Sequence, residues 1–438
     1  MSAVRPAPVS FPEAFWYWLK LGFISFGGPT GQIAIMHTDL VEQKRWISER
    51  RFLHALNYCM LLPGPEATQL ATYIGWLMHR TWGGVVAGVL FVLPSLLLLI
   101  ALTWIYLVFG DVPVIAGLLY GIKPAVTAIV LFAAWRIGSR ALKSAWLWAI
   151  AIAAFVAIFF FDLAFPLIIL CAAIFGFLGG RYKPAAFTTG GHASAEKDFG
   201  PALIEDTDEI PHTRYSPSKL IRCVSTGLLL WIAPIALLFA LSGFDVLRDM
   251  AWFFTKAAML TFGGAYAVLP YVFDNAVEHY QWLSAPQMID GLALGETTPG
   301  PLIMIVAFVG FVGAWTHEVF GANVALAGIA GACVATYFTF LPSFIFILAG
   351  APLVEATHGD LRFTAPLTGI TAAVVGVIVN LALFFAYHVL WPRGFDAPFE
   401  WFSALIGATA FIALLRFKVG MIPVILFSGL AGLAYRVL

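Results

Sequence analysis

Long apolar runs recur along the whole chain and constrain its fold more than any other feature. Thirteen such segments lie at 12–36, 51–79, 82–109, 113–135, 144–161, 163–180, 220–243, 248–272, 287–315, 319–349, 363–389, 400–415 and 419–437. A helix of roughly 20 apolar residues spans the hydrocarbon core of a bilayer, where only helices and closed barrels satisfy every backbone group. The runs predict an all-α polytopic membrane protein whose first partner is the lipid bilayer.

The charge content excludes several other classes of protein. Only 11% of the 438 residues are charged, against roughly 25% in soluble proteins, so a soluble globular enzyme is excluded. The net charge is zero, and no nucleic-acid partner is expected because such binders carry a basic excess. The chain is also 15% aromatic, whereas disordered chains are poor in aromatic residues.

The two halves of the chain are copies of each other. Three landmarks of the first half recur 236 residues later: Phe26-Gly27-Gly28 as Phe262-Gly263-Gly264, Trp46 as Trp282, and Pro63-Gly64-Pro65 as Pro299-Gly300-Pro301. Leu93-Pro94-Ser95 then recurs as Leu341-Pro342-Ser343 at an offset of 248, after a twelve-residue insertion. Duplicated membrane proteins with many spans are most often transporters whose substrate site lies at the repeat interface.

A polar stretch separates the copies and divides the chain into four parts. We predict a first transporter repeat at 1–180, a polar linker at 181–219, an extra membrane helix at 220–243 and a second transporter repeat at 244–438. The linker is rich in Gly, Pro and acidic residues, which is typical of a solvated segment without a fold of its own. Basic residues at 136–143 and 181–222 place it in the cytoplasm.

The sequence leaves the number of membrane crossings open. Pro-Gly-Pro lies in the middle of 51–79 and of 287–315, so neither segment is one continuous helix. If both segments cross the membrane, the copies are inverted; if both fold back as hairpins, this segment count makes the copies parallel. The basic residues at 44–51 are cytoplasmic only with hairpins, so the positive-inside rule favours hairpins.

The duplicated breaks predict one central anion site. Broken helices persist at membrane depth only where they are buried in protein or line a wet cavity, and helix N-termini bind anions. The predicted substrate-binding residues at the breaks are Gly27, Gly28, Gly64, Thr68, Gly263, Gly264, Thr298 and Gly300. For the Phe-Gly-Gly glycines a tight helix crossing is an equal alternative, and a threonine hydroxyl often bonds only its own helix.

Three lysines inside the apolar segments complete the predicted substrate site. Lys20 and Lys256 precede the Phe-Gly-Gly motifs at the same spacing, whereas Lys123 has Thr371 as its counterpart. A lysine within a span costs about 2.5 to 3.5 kcal/mol on insertion scales, which suggests function when it faces the interior. The alternatives are snorkelling to the interface for Lys20 and Lys256 and pairing with a carboxylate for Lys123.

Two glutamates flank the breaks and are candidates for proton coupling. Glu296 precedes the second Pro-Gly-Pro at a helix end, where the helix dipole and burial disfavour its charged form. Glu66 follows the first Pro-Gly-Pro at a helix start, where a capping role is the alternative. We expect no catalytic residues, metal or cofactor, because the sequence carries no nucleotide-binding, hydrolase or metal-ligand motif.

With these paired FGG and PGP motifs, over nearly its whole length, the chain resembles the chromate ion transporter family in its long two-domain form. The resemblance implies an inverted repeat in the bacterial inner membrane. It implies efflux of chromate from the cytoplasm, driven by the proton or membrane potential and conferring chromate resistance. A transporter of sulfate or another tetrahedral oxyanion is the alternative, followed by an anion channel. A homodimer is compatible with the sequence but not required by it.

Overall fold

The computed structural model describes residues 5–437 apart from 27, 188–198, 207, 209, 263 and 357–363. Throughout these residues the regular elements are helices, without a strand, which confirms the predicted fold class. The helices of the first half are α1 Phe11–Ile24, α2 Gly28–His37, α3 Glu49–Leu61, α4 Glu66–Phe109, α5 Pro113–Ala141, α6 Ala145–Phe161, α7 Phe165–Tyr182 and α8 Pro184–Phe187.

The second half repeats this order of elements. After α9 Pro217–Ala240 come α10 Asp245–Met259, α11 Ala265–Phe273, α12 Ala285–Thr297, α13 Ile305–Thr316, α14 Val324–Ala356, α15 Thr364–Leu390, α16 Trp401–Arg416 and α17 Met421–Val437. The bounds of α3 and α12 differ by the sequence offset of 236 at both ends, and so do those of the π-helical segments Thr38–Gln43 and Asp274–His279. The internal repeat is therefore a repeat of backbone structure.

The helices have the length and surface that a bilayer requires. Within the described chain, α4, α5, α7, α9, α14 and α15 are long and apolar enough to cross a membrane, and α6, α16 and α17 are shorter apolar helices. Large apolar side chains such as Phe160 and Leu229 are 68% and 65% exposed. Such exposure suits a surface that faces lipid rather than water.

Equivalent serines begin the helices that lead to the Pro-Gly-Pro motifs. The Ser48 hydroxyl accepts a hydrogen bond from the Arg51 N–H, and the Ser284 hydroxyl accepts one from the Gln287 N–H. The Gln287 side chain also accepts from the Ser284 N–H, which completes a capping box. These caps fix the starts of α3 and α12, and each helix then ends two residues before its proline.

Each Pro-Gly-Pro segment is the tip of a helical hairpin. The rings of Tyr58 on α3 and Tyr73 on α4 lie 6.0 Å apart on either side of the first tip. At the second tip, a Cβ on Gly291 of α12 would fall on the Phe308 ring of α13. Both segments thus fold back, as the distribution of basic residues indicates.

The Phe-Gly-Gly segments fold back as well. Tyr17 precedes the first of these motifs and Trp46 follows it, yet their rings are 5.0 Å apart. Phe253 and Tyr280, which flank the second motif, have ring centroids 5.7 Å apart. Each half therefore begins with two hairpins, α1–α2 and α3–α4 in the first and α10–α11 and α12–α13 in the second. The predicted segments 12–36 and 248–272 are not single spans.

The helix α4 is two helices joined at a reversal. His79 and Arg80 have non-helical backbone angles, and Gly75 before them contacts Gly83 after them. Residues 66–79 close the second hairpin, and the remaining length of α4 crosses the membrane. In the second half the same reversal lies between α13 and α14, where Gly310 meets Gly331.

Part of the linker is folded onto the first half. The Ile204 N–H donates to the Trp46 carbonyl at 3.1 Å, and its carbonyl accepts from the Ser48 N–H at 3.0 Å. Farther along, His212 lies 2.9 Å from the Trp76 carbonyl. We call described residues 199–216 the linker strap and the side that they cover the linker face. Our expectation of a linker without structure does not hold for this segment.

The two halves are inverted with respect to the linker face. The hairpins of the first half have their open ends at that face, since Ser48 and Trp76 bond the strap there. The helix α14 starts beside the end of α13, and in its last turn the Glu355 carboxylate meets Arg51 at the linker face. The open ends of the second pair of hairpins therefore lie at the opposite face. The sequence count gave parallel copies for Pro-Gly-Pro hairpins because it counted segment 12–36 as a crossing. That segment also folds back, so one crossing fewer precedes the second copy and the copies are inverted.

Candidate functional site

The tips of the two Pro-Gly-Pro hairpins are each held by the Phe-Gly-Gly break of the other half. The Gly300 N–H donates to the Ser25 carbonyl at 2.7 Å, and the Gly64 N–H donates to the Thr261 carbonyl at 2.7 Å. Ser25 and Thr261 occupy equivalent places in the repeat. The four breaks thus meet at one pseudosymmetric centre.

Glycine is required at both tips. Gly64 and Gly300 have φ of +126° and +107°, a region that residues with a Cβ rarely adopt. A Cβ on Gly300 would lie 2.8 Å from the Cβ of Ser95, and one on Gly64 would strike the side chain of Ser343. Ser95 and Ser343 are equivalent serines, so each tip rests on a serine of a membrane-crossing helix.

The described glycines of the Phe-Gly-Gly motifs do not form a tight helix crossing. Gly28 and Gly264 have φ of +69° and +97°, and a Cβ on Gly28 would meet nothing within 4 Å. The nearest atom to a Cβ on Gly264 is Cγ of Pro29, at 4.0 Å. These glycines serve the reversal of the backbone. Gly27 and Gly263, also predicted to bind substrate, lie outside the described residues.

Five of the ten buried side-chain atoms without a hydrogen-bond partner in the described chain belong to residues at or near the two tips. They are Ser25 Oγ, Gln32 Oε1, Thr68 Oγ1, Gln69 Oε1 and Ser95 Oγ. The amide of Gln32 donates to the Gly300 carbonyl at 2.5 Å, and that of Gln69 donates to the Pro63 carbonyl at 2.8 Å. Buried polar atoms are almost always paired, so this concentration indicates a place for a polar ligand or water.

The two threonines predicted to bind substrate differ in structure. The Thr298 hydroxyl donates to the Gly295 carbonyl of its own helix at 3.0 Å. The Thr68 hydroxyl is buried and is one of the unpaired atoms. Of these two hydroxyls, that of Thr68 is available to a ligand without breaking an existing bond.

The glutamates flank the tips as the sequence indicates. Glu66 is the first residue of α4, directly after the first Pro-Gly-Pro, and Glu296 is the next-to-last residue of α12. The Tyr266 hydroxyl of α11 donates to the Glu296 carboxylate. Arg136 of α5 adds a favourable electrostatic interaction with Glu296. A carboxylate so close to the centre repels an anion unless it carries a proton.

The three lysines are not brought together. Lys20 is exposed on α1 and Lys256 is half-buried on α10, each five residues before the residue that holds the opposite tip. Lys123 lies elsewhere, with its amine 3.2 Å from the Asp290 carboxylate of α12. Lys123 is therefore paired with a carboxylate, which is the alternative that the sequence analysis gave for this residue.

Sequence reasoning missed several residues of the site. Ser25, Gln32 and Ser95 are polar residues next to motifs that we recognised only by their glycines and prolines. The signal for Ser95 is its place in the duplicated Leu-Pro-Ser motif. Asp290 carries no repeat signal, because its counterpart in the first half is His54. Among the described residues there is no cluster of three His, Cys, Asp or Glu side chains with metal-site geometry.

The centre has the chemistry of a binding site for a small polar ion. It offers neutral hydroxyl and amide groups in a buried position where two membrane hairpins meet. Burying an ion without such partners costs many kcal/mol, so converging donors are the first requirement of a transport site.

Comparison with known proteins agrees with this architecture. The model of the family described as Chromate transporter matches residues 12–177 and 248–433, one segment in each half. A chromate transport protein of Pseudomonas aeruginosa is 34% identical over 98% of this chain and 93% of the relative. A chromate transport protein of Cupriavidus metallidurans is 30% identical over 95% of this chain and 91% of the relative. No solved structure matches the chain.

Proposed function

Because this chain belongs to the chromate transporter family, we propose that it exports chromate from the bacterial cytoplasm through the centre where the two Pro-Gly-Pro hairpins meet. Export through the inner membrane confers chromate resistance. The chain is a multi-pass membrane protein, and its relatives carry the name of transport proteins rather than enzymes.

The unpaired polar atoms at the two tips carry this proposal. Chromate is a tetrahedral dianion, and a buried dianion needs several donors from different directions. Ser25, Thr68 and Ser95 supply hydroxyl donors from three helices or breaks. The side-chain N–H groups of Gln32 and Gln69 already donate to protein acceptors, so these amides orient the two tips rather than donate to the anion. Lys20, Lys256 and the N–H groups of Gly28 and Gly264 complete the proposed set, with Thr298 as a further hydroxyl. The N–H groups of Gly64 and Gly300 already donate to the Thr261 and Ser25 carbonyls and hold the tips in place.

The cytoplasmic side is the linker face in this proposal. The basic residues Lys44, Arg45, Arg50 and Arg51 lie in or beside the segment that binds the strap, and Arg136, Arg140 and Lys143 precede α6 on the same side. Basic residues concentrate on cytoplasmic loops of membrane proteins. The hairpins thus remove the conflict between charge distribution and inversion that the sequence presents.

The membrane potential favours export of a dianion. Moving one elementary charge across the membrane is worth about 2.3 kcal/mol per 100 mV, so two negative charges leaving a negative interior gain about twice that. Glu296 is the proposed proton-coupling residue and Glu66 its partner at the other tip. Both lie where an ionised carboxylate opposes a bound anion.

The substrate is tested by flux into proteoliposomes that contain the purified protein. We expect labelled chromate to move faster than labelled sulfate, with a rate that responds to an imposed potential. Faster sulfate transport would favour the alternative oxyanion, and conduction without any response to a pH gradient would favour a channel.

Threonine-to-valine substitutions test the site, because they keep shape and remove only the hydroxyl. Thr68→Val should raise the KM for chromate about tenfold, since a hydrogen bond to a charged group contributes about 1.5 to 3 kcal/mol. Thr298→Val should have a smaller effect. Thr339→Val is the control, because that buried hydroxyl donates to the Ala335 carbonyl of its own helix. Equal effects of all three changes would place the substrate elsewhere.

Glu296→Gln tests the coupling. The variant should transport chromate with a rate that no longer depends on the pH gradient. Wild-type pH dependence in this variant would remove Glu296 from the proposal, while loss of chromate flux in Lys20→Met or Lys256→Met would support the cationic part of the site.

A further inference from the structure

A polar cavity opens on the face opposite the linker. Its volume is about 500 Å³, many times the roughly 30 Å³ that one water molecule occupies in the liquid. Charged and hydrogen-bonding residues from six helices or their ends line it, among them Tyr106, Lys123, Asp290, His388, Glu400 and Arg436. The cavity is therefore wet and large enough for a hydrated ion.

A buried ion pair forms part of its wall. The Lys123 amine lies 3.2 Å from Asp290 Oδ2, and the Tyr106 hydroxyl donates to the same oxygen at 3.0 Å. The side chain of Asp290 is 4% exposed, whereas that of Lys123 is 29% exposed. Asp290 Oδ1 is buried without a partner in the described chain. The lysine thus faces the cavity. The Asp290 carboxylate binds it through Oδ2, while Oδ1 accepts no hydrogen bond from the described chain.

The pair lies on the way from the centre to the opposite face. Asp290 is ten residues before Gly300 on the hairpin that ends at the central tip. Seven of these residues, up to the end of α12 at Thr297, are helical, which at 1.5 Å per residue is about 10 Å along the helix, a third of the roughly 30 Å hydrocarbon core.

The repeat does not require this pair. The counterpart of Asp290 in the first half is His54, and the counterpart of Lys123 in the second half is Thr371. An ion pair that only fastens two helices is often no better than well-packed apolar residues of the same volume. A fastener also needs no cavity beside it.

We propose that this cavity is a second binding station for the transported oxyanion, in which Lys123 is the ligand and Asp290 is the internal anion that the oxyanion displaces. The station rests on the proposed function and adds a step between the centre and the opposite face. Its ligand class is the tetrahedral oxyanions, which share charge and shape.

The station links the oxyanion to a proton. When an oxyanion binds Lys123, Asp290 loses its counter-ion and gains affinity for a proton. Binding of the oxyanion and binding of the proton therefore strengthen each other. The other titratable groups that line the cavity with the pair are Tyr106 from α4, Asp111 between α4 and α5, Tyr120 from α5, His388 from α15, Glu400 before α16 and Arg436 from α17. Binding at the station therefore strengthens as the pH at the opposite face falls.

The test measures protection of a cysteine in the cavity. Ala116 lines the cavity and is exposed, so Ala116→Cys, in a protein whose native cysteines are serine, reacts with a membrane-impermeant maleimide from the opposite face. Sulfate should slow this reaction relative to chloride at equal ionic strength. Asp290→Asn should lower the half-protective sulfate concentration about tenfold, within the usual range of coupling between ligands, and remove its pH dependence.

Two further variants separate a station from a fastener. Lys123→Met should abolish protection by sulfate. The double variant Lys123→Met/Asp290→Asn leaves no unpaired buried charge, so it should fold and still show no protection. The control is Glu318→Gln, a change at an exposed loop residue of the same face. Sulfate should protect the cysteine in this variant as it does in the wild type. Wild-type protection in either Lys123 variant overturns the station.

The labelling reaction requires no turnover, so it is independent of the test of the proposed function. Sulfate protection in a protein that transports no chromate would leave the station in place and refute chromate transport. Chromate transport without any protection at Ala116→Cys would refute the station alone.

Discussion

The two ends of the molecule hold similar ion pairs in different surroundings. At the linker face, Arg51 lies 2.5 Å from Glu355, and Tyr73 donates to the same carboxylate. At the opposite face, Lys123 pairs with Asp290, and Tyr106 donates to it. The side chains of Arg51 and Glu355 are only 5% and 8% exposed, whereas the other pair borders a cavity.

The linker accounts for the difference. Arg51 also donates to the carbonyls of Glu205 at 2.7 Å and Asp208 at 3.1 Å, both in the strap. Burial lowers the pKa of His212 in the same strap below its ordinary value, so its ring is neutral at pH 7 beside the Trp76 carbonyl. The strap thus closes the linker face, and no such segment covers the described part of the cavity.

The molecule is therefore closed at the linker face and open at the opposite face. In transporters built from inverted repeats, the two faces exchange these roles around a central site. We propose that the Arg51–Glu355 pair and the strap are the contacts that loosen when the linker face opens during transport.

The tips are where the halves are alike, and changes there should have the largest effects. Gly64→Ala and Gly300→Ala should each reduce transport more than tenfold, because positive φ costs about 1–3 kcal/mol and a Cβ also strikes a serine. Gly243→Ala is the matched control, with φ of +87° and open space around it. Gly243→Ala should lower the free energy of unfolding by about 1 kcal/mol and leave transport unchanged. Flux and thermal unfolding in detergent distinguish the two outcomes.

The ion pairs should differ in their contribution to stability. Arg51→Met leaves the buried Glu355 carboxylate without its cation and with the Tyr73 hydroxyl as its remaining donor. The change should cost about 3–5 kcal/mol of unfolding free energy. Lys123→Met should cost about 1–3 kcal/mol, because the cavity gives Asp290 access to water. Denaturant unfolding in detergent measures both values, and equal costs would contradict the contrast between a sealed and an open end.

The strap should have the smallest and most local effect. Ile204→Pro removes the N–H that bonds the Trp46 carbonyl, so the neighbouring Ser48 amide should exchange its hydrogen about tenfold faster, as expected from the loss of about 1.4 kcal/mol. The equivalent Ser284 amide at the opposite face bonds Gln287 Oε1 at 2.8 Å and should keep its rate. Faster exchange at both serines would indicate global rather than local opening.

Sequence reasoning located the breaks but not every fold-back. Pro-Gly-Pro prevents a continuous helix by local chemistry alone, so its role was predictable. Residues 12–36 read as one apolar span, because nothing local shows that Tyr17 will meet Trp46. The direction of the chain after Phe-Gly-Gly depends on contacts between residues far apart in sequence.

The sequence by itself determined the solvent, the duplication and the breaks, because hydropathy, repeated landmarks and proline chemistry are properties of short segments. The tertiary structure alone decided that hairpins and inversion coexist, that Thr68 is free of its helix while Thr298 is not, and that Lys123 faces Asp290. Each of these depends on which side chains meet across the two halves. The spacing of residues along the chain does not predict these tertiary contacts, because the packing between helices determines them.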